Sequence, residues 1–387
     1  MHYKSERTLL LLALTLPALL LVTALCSGCR TQSPHAPAPP AIQSVKAESD
    51  EYAGNRACEP CHLDEFTLHA KSRHAATLHI ANSAELGALA PPVGKIANTP
   101  FSLSKESDGS LTLARNDEAK AKATLQYALG SGKTVMTYLG EMKKDKLTEL
   151  RASYQPPLKK WCITPGQEQV PDAKIGVVNE LGTAKRCVLC HAVKLKANSS
   201  EPAPGFLGVG CESCHGPGKA HIEAVKIPNA TDIKMASLKN AGGKRINELC
   251  GKCHRTLDSL TLGALETNST ARFQPYGLAI SPCFQKSNDK LTCITCHNPH
   301  TDASVERKGY EKTCLSCHSA PVSAAPKTQK VCPVNPKEGC IGCHMPPSPI
   351  FIFAKIQVSM ADHFIWAYRP HGAGSKGREA PQNPKPK

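Results

Sequence analysis

The chain has 387 residues, with 47 Lys and Arg against 32 Asp and Glu for a formal charge of +15, and aromatic residues make up only 5%, including two Trp and eight Phe. The positive excess does not read as a nucleic-acid surface, because the lysines are scattered along the chain and its first residues are those of an exported protein. So few large aromatic side chains also exclude a core built mainly of Phe and Trp, so another apolar body has to fill much of the interior.

In chain order, Lys4 and Arg7 precede an apolar run from Leu9 to Leu25 interrupted by Thr15, Pro17 and Thr23, the layout of a secretory signal over residues 1–28. The run sits at the short edge of a membrane-spanning helix, so an uncleaved anchor stays open beside cleavage. Leu25-Cys26-Ser27-Gly28-Cys29 resembles a bacterial lipoprotein cleavage box, with Cys26 where an aliphatic residue is usual, and lipid on Cys29 is expected to hold the protein to a membrane. Residues 29–50 are rich in Pro, Ala, Ser and Gln and form a tether, within which His35 reads as a solvated linker residue.

Residues 51–90 form a first segment in which Leu63 to Leu86 has neither Gly nor Pro until its end and reads as helix. Residues 91–180 read as a β-rich insert with strands near 95–160: Phe101-Ser102-Leu103-Ser104, the turn Ser107-Asp108-Gly109 and Leu111-Thr112-Leu113 alternate as a hairpin does, and Leu125 to Leu139 and Leu147 to Tyr154 continue the pattern. Gly130-Ser131-Gly132-Lys133-Thr134 looks like part of a phosphate loop, but Tyr127 stands where its first glycine belongs, so it reads as a turn between strands. Residues 181–370 carry short helices and loops, and residues 371–387 read as a disordered tail. The fold expected from this pass is mainly α with long loops and one small β-rich insert.

The chemistry lies in a repeated pentapeptide, Cys-x-x-Cys-His. It occurs seven times, at Cys58/Cys61/His62, Cys187/Cys190/His191, Cys211/Cys214/His215, Cys250/Cys253/His254, Cys293/Cys296/His297, Cys314/Cys317/His318 and Cys340/Cys343/His344, using fourteen of nineteen cysteines. Chance supplies roughly 0.04 copies at this composition. Two thiols one turn apart suit thioether bonds to the two vinyl groups of a haem, and the adjacent imidazole then meets one face of the iron. Zinc needs two paired units per ion and has no use for a histidine after every second cysteine, and disulfides leave the histidines equally unexplained. Seven covalent haems c are therefore expected, and they supply the missing apolar body. Each ferric haem with two propionates adds about −1, which lowers the net charge to roughly +8.

From His191 onward the motif histidines are spaced by 24, 39, 43, 21 and 26 residues, so the haems must lie close together. An iron with a second imidazole suits electron transfer, whereas an open sixth position permits substrate binding. Besides His2 and His35, seven histidines stand outside the motifs: His69, His74, His79, His221, His300, His363 and His371. Two trans histidines separate their Cα atoms by about 13 Å and three residues span at most about 10–11 Å, so His300 cannot serve the iron of His297 and would have to reach a neighbouring one. His221 is similarly better placed for a neighbour than for His215, though six residues can reach round. Cys162, Cys283 and Cys332 remain over, enough for one disulfide of undetermined pairing.

Several stretches carry more than the pentapeptide: Ala57 through His62 leading to Lys71-Ser72-Arg73-His74-Ala75, Gly208 through His221, Arg272-Phe273-Gln274-Pro275-Tyr276-Gly277-Leu278 through His300, and Gly339 through Pro346 with Asp362-His363. Together they resemble the multihaem cytochromes of the cytochrome c554 family. The resemblance implies that His74, His221, His300 and His363 are distal iron ligands, while His69 departs from a position where relatives commonly carry Trp. It implies an exported carrier of single electrons between periplasmic or outer-membrane redox partner proteins, without nucleic acid, alone or wired into a membrane complex or oligomer. The alternative is a reductase or oxidase of small nitrogen or sulfur compounds at a five-coordinate haem.

Overall fold

The computed structural model describes residues 51–365 except 118–120, 144–145, 172–173, 178–182, 236, 257–272, 320–331, 333 and 353–355. The expected signal, Cys29, the tether, His371 and the tail lie outside the described residues. Among the described residues no helix is long and apolar enough to cross a membrane.

The largest element is a nine-stranded antiparallel sheet. Its main path runs β2 (Gly94–Lys95), β3 (Phe101–Lys105), β4 (Leu111–Arg115), β5 (Lys122–Leu129), β6 (Met136–Lys143), β7 (Lys146–Gln155) and β8 (Lys160–Ile163), with β1 (Leu78–Ile80) on β5 and β9 (Gly176–Val177) on β7. A second, two-stranded antiparallel sheet pairs β10 (Pro347–Ile352) with β11 (Ile356–Ala361). The helices between haem motifs are short, from Cys293–Cys296 to the twelve residues of Gly243–His254 and Arg307–His318. The molecule is thus organised on a large antiparallel sheet, and the expectation of a mainly helical fold with a small insert is corrected.

Strand pairing accounts for one part of the difference. The run after Leu63 is helical over Leu63–Ala70 and again over Ser83–Leu86, and between them Leu78-His79-Ile80 extends as β1, registered Leu78 to Leu129 and Ile80 to Tyr127. Absence of Gly and Pro is compatible with either state, and the pairing edge offered by β5 decides between them. The glycine-bearing segment 130–134 lies between β5 and β6, as expected of a turn.

Alternation along the strands sorts side chains into two clusters. Phe101, Leu103, Leu111, Leu113, Ala123, Leu125, Met136, Tyr138, Leu150 and Ile175 pack as one core. A register shift between Leu125 and Tyr127 breaks the two-residue period, so Tyr127 and Leu129 turn to a second cluster with Leu78, Leu139, Ala184, Val188 and Ala192. Ala184 and Val188 belong to the helix Thr183–His191, which carries the second Cys-x-x-Cys-His unit. The bulge is therefore what lets the sheet seat a haem motif.

Candidate haem centre

Each motif occupies one helical turn. The His62 N–H donates to the Cys58 carbonyl at 3.0 Å and the His297 N–H to the Cys293 carbonyl at 2.9 Å, which fixes the two cysteines a turn apart. The seventeen described cysteines are free. Cys162 lies in β8 with its thiol 3.6 Å from the Ser153 carbonyl, Cys283 is in electrostatic reach of Cys317, and Cys332 of Cys340, so the expected disulfide among these three is not formed here.

Distant motifs meet through their thiols. Cys58 lies beside Cys211, Cys190 beside Cys253, Cys250 beside Cys293 and Cys340 beside Cys314. Cys214 lies within electrostatic reach of Cys250, and Cys314 of Cys296. These contacts join all seven motifs, with the one at Cys250–His254 touching three others.

Exposure separates the two cysteines of a unit: among the described residues the second cysteines Cys61, Cys214, Cys253, Cys296, Cys317 and Cys343 are exposed, while the first of each pair is partly buried. In the first and last motifs of the chain the neighbouring motif is met by the first cysteine, Cys58 or Cys340.

Four of the motif histidines face a histidine from outside the motifs. His62 and His221 have ring centroids 6.4 Å apart, His74 and His254 6.1 Å, His215 and His300 6.4 Å, and His297 and His363 6.2 Å. Two imidazoles bonded through nitrogen to one metal at about 2.0 Å, each with its centroid about 1.1 Å behind that nitrogen, have centroids roughly 6.2 Å apart. The observed spacings match this, so the residues present fit an iron held between each pair. The interplanar angles are 31°, 72°, 6° and 27° in the same order. His300 faces the motif of His215 rather than the nearby His297, and His221 faces His62 rather than His215.

The chain orients these rings from their far side. His221 Nδ1 lies 2.7 Å from the Ile233 carbonyl, His363 Nδ1 2.9 Å from the Ala361 carbonyl, and His191 Nδ1 2.9 Å from the Thr77 carbonyl. An Nδ1–H donated to a carbonyl leaves Nε2 as the metal-binding lone pair. Burial favours that neutral ring: it lowers His191, His215, His254 and His297, and takes His363 down to about 4.

Loops bring the non-motif histidines in. Arg73 donates its N–H to Asp302 at 2.7 Å and pairs with it through Nε at 3.3 Å, binding the His74 turn to the His300 loop. The Val209 N–H donates to the His74 carbonyl at 2.9 Å beside Gly208, whose φ of +77° and whose absent side chain, which would fall 2.2 Å from the Ala75 carbonyl oxygen, require glycine. The hairpin β10–β11 delivers His363, and Phe364 packs edge-on against Tyr276 at 5.7 Å.

The remaining histidines are placed differently. His79 holds the Ala76 carbonyl with Nε2 at 2.8 Å, the nitrogen a distal ligand would present. His69 is half-buried, lines a cleft of 570 Å³ with Asn55, Phe66 and Phe206, and is lowered first by burial and then by His74 and His300. Among the described residues no imidazole faces His191 or His318, and no group of three or more metal-ligating side chains occurs.

Three positions went unnoticed in the sequence. Glu212, 4% exposed, accepts the N–H groups of Ala53 at 2.8 Å, Gly54 at 2.9 Å and Gly218 at 2.7 Å. Asn55 accepts the Cys211 N–H at 2.9 Å, and Thr77 holds His191. Their signal is tertiary, since the partners of Glu212 and Asn55 lie up to 159 positions away.

A family model described as cytochrome c554 and c-prime matches residues 159–216, which include the motifs at Cys187 and Cys211. No curated protein matches the chain. Among solved structures, the outer cell wall cytochrome OcwA aligns at 17% identity and a TM-score of 0.49, covering 81% of this chain and 79% of that one. With two haem-attachment units inside the matched segment and the same unit repeated on both sides of it, the chain is a multihaem c-type cytochrome.

Proposed function

We propose that this cytochrome binds seven haems c, one at each Cys-x-x-Cys-His unit, and passes single electrons between redox partner proteins outside the cytoplasm, held to a membrane by lipid on Cys29. When bound, haem c supplies an iron that cycles between ferric and ferrous without bond rearrangement at the ligands. The observation that carries the reading is the four histidine pairs spaced 6.1 to 6.4 Å apart, each joining a motif to a residue remote in sequence. On this reading His221 is the distal partner of His62, His74 of His254, His300 of His215 and His363 of His297. Two neutral imidazoles in each pair would hold the iron and leave no site on it for substrate, which would favour outer-sphere electron transfer over substrate chemistry.

The thiol contacts support an order along the molecule. The centre of His62 adjoins that of His215, then that of His254, which leads to His297, His318 and His344 in turn, while the centre of His191 branches from His254.

Among the described residues no imidazole faces His191 or His318, the observation behind a second reading, an enzyme acting on small nitrogen or sulfur compounds at a five-coordinate iron. Low-temperature EPR of the oxidised holoprotein, with and without nitrite, hydroxylamine or cyanide, separates the two. Wholly low-spin spectra that ignore these ligands establish the carrier. A high-spin signal of about one iron in seven that responds to them establishes the enzyme.

A further inference from the structure

Glu212 lies inside a haem motif, between Cys211 and Ser213, yet its carboxyl group turns away from solvent toward the segment before Cys58. Both oxygens are engaged by backbone donors, Oε1 by Ala53 and Gly218 and Oε2 by Gly54. Three N–H donors around one carboxyl group satisfy an anion and leave nothing to accept a carboxylic proton. The charge reaches both neighbouring motifs: behind larger causes it adds to the rise of the Cys58 thiol and the Tyr52 hydroxyl, and it works against the net lowering of the Cys211 thiol, which the neighbouring Cys58 causes first. Asn55 and the Cys58–Cys211 contact close the same junction.

We propose that Glu212 is a positioning residue with an electrostatic role, a buried anion that holds the centres at Cys58/Cys61 and Cys211/Cys214 at lower reduction potential than those at Cys250/Cys253 and Cys293/Cys296. The inference rests on the reading of these motifs as haem sites. Reduction adds one electron from a donor protein to a ferric centre and makes it less positive. A fixed negative charge in a medium of low dielectric stabilises the more positive oxidised state, so it opposes that step. Backbone donors hold the carboxylate without neutralising it, whereas a surface carboxylate would be screened by water and salt.

The test uses the unaltered holoprotein, Glu212→Gln and Glu212→Asp, with peptide mass mapping of covalent haem, EPR and spectroelectrochemical titration of each. Glu212→Gln keeps the shape and removes the charge; two midpoints are expected to move upward with the low-spin signals unchanged. Glu212→Asp keeps the charge and is expected to retain the original midpoints. Fully loaded Glu212→Gln with unmoved midpoints, or equal shifts in both variants, overturns the electrostatic role and leaves the haem reading intact. Absence of haem from the Cys58 and Cys211 peptides of the unaltered protein overturns both. Should Glu212→Gln not assemble, titration of the unaltered protein decides, with the two centres identified by the signals lost in His221→Ala and His300→Ala. Potentials below those of the His254 and His297 centres support the proposal, and potentials at or above them overturn it.

Discussion

A single imidazole decides the spin state of an iron, and the structure separates the non-motif histidines by what their nitrogens face. His300 and His221 each oppose a motif histidine at 6.4 Å, while His79 directs Nε2 to the Ala76 carbonyl. His300→Ala and His221→Ala are each expected to convert about one low-spin centre to high-spin, whereas His79→Ala leaves the EPR spectrum unchanged. The pair at 72°, His74 with His254, has nearly perpendicular ring planes, which would leave two d orbitals of an iron held between them close in energy. It is expected to give the most anisotropic low-spin signal, which disappears in His74→Ala. At Glu149 the argument concerns stability. Burial raises its carboxyl above the ordinary value of 4.5, against the opposing bond from Gln167 Nε2 at 3.0 Å. A folded-state value above the unfolded one contributes stability that is present in acid and lost as pH rises through the raised value. Glu149→Gln is therefore expected to raise Tm at pH 7 to 8 and to lose that advantage toward pH 4, measured by thermal unfolding.

At the scale of elements, the link between sheet and haem motif is the cluster around Leu139, a fully buried side chain packed with Tyr127, Leu129 and Val188. Leu139→Ala leaves a cavity between the sheet and the helix Thr183–His191, and a loss of about 2–5 kcal/mol is expected in denaturant unfolding. A loss under about 1 kcal/mol would show that sheet and helix are not tightly packed. The β3–β4 hairpin was legible in the sequence because apolar residues alternate on both sides of Ser107-Asp108-Gly109. Strand β1 was not, since His79 and Ile80 acquire their conformation from pairing with Ala128 and Tyr127 some fifty positions on, and a three-residue run has too little pattern to announce it. The shift between Leu125 and Tyr127 was equally hidden, because a bulge inverts alternation without any required residue type.

Across the whole molecule, the contacts between motifs define a branched path with the unit Cys250–His254 at its junction. Removing that attachment by Cys250→Ala with Cys253→Ala is expected to divide the path. In stopped-flow reduction, a variant with one haem fewer should show a slow second phase, because electrons no longer equilibrate between the first and third centres and the fifth, sixth and seventh. A single fast phase matching the unaltered protein would argue for contacts between centres that bypass the junction.

By itself the sequence determined the cofactor chemistry. Seven Cys-x-x-Cys-His units are local patterns, complete within five residues, and covalent attachment with a proximal imidazole needs nothing from elsewhere in the chain. It also limited His300 to a neighbouring centre, because chain reach is a local property. Which motif each non-motif histidine faces was decided only by tertiary structure: His62 and His221 are 159 positions apart, and no spacing rule connects them. The same holds for the exposure of Cys61 and Cys343, for the dominance of the sheet and for Glu212, whose carboxylate is defined by backbone donors of a remote segment. Attachment is a short-range covalent requirement, whereas iron pairing, buried charge and strand pairing are long-range contacts that exist only once the chain has closed on itself.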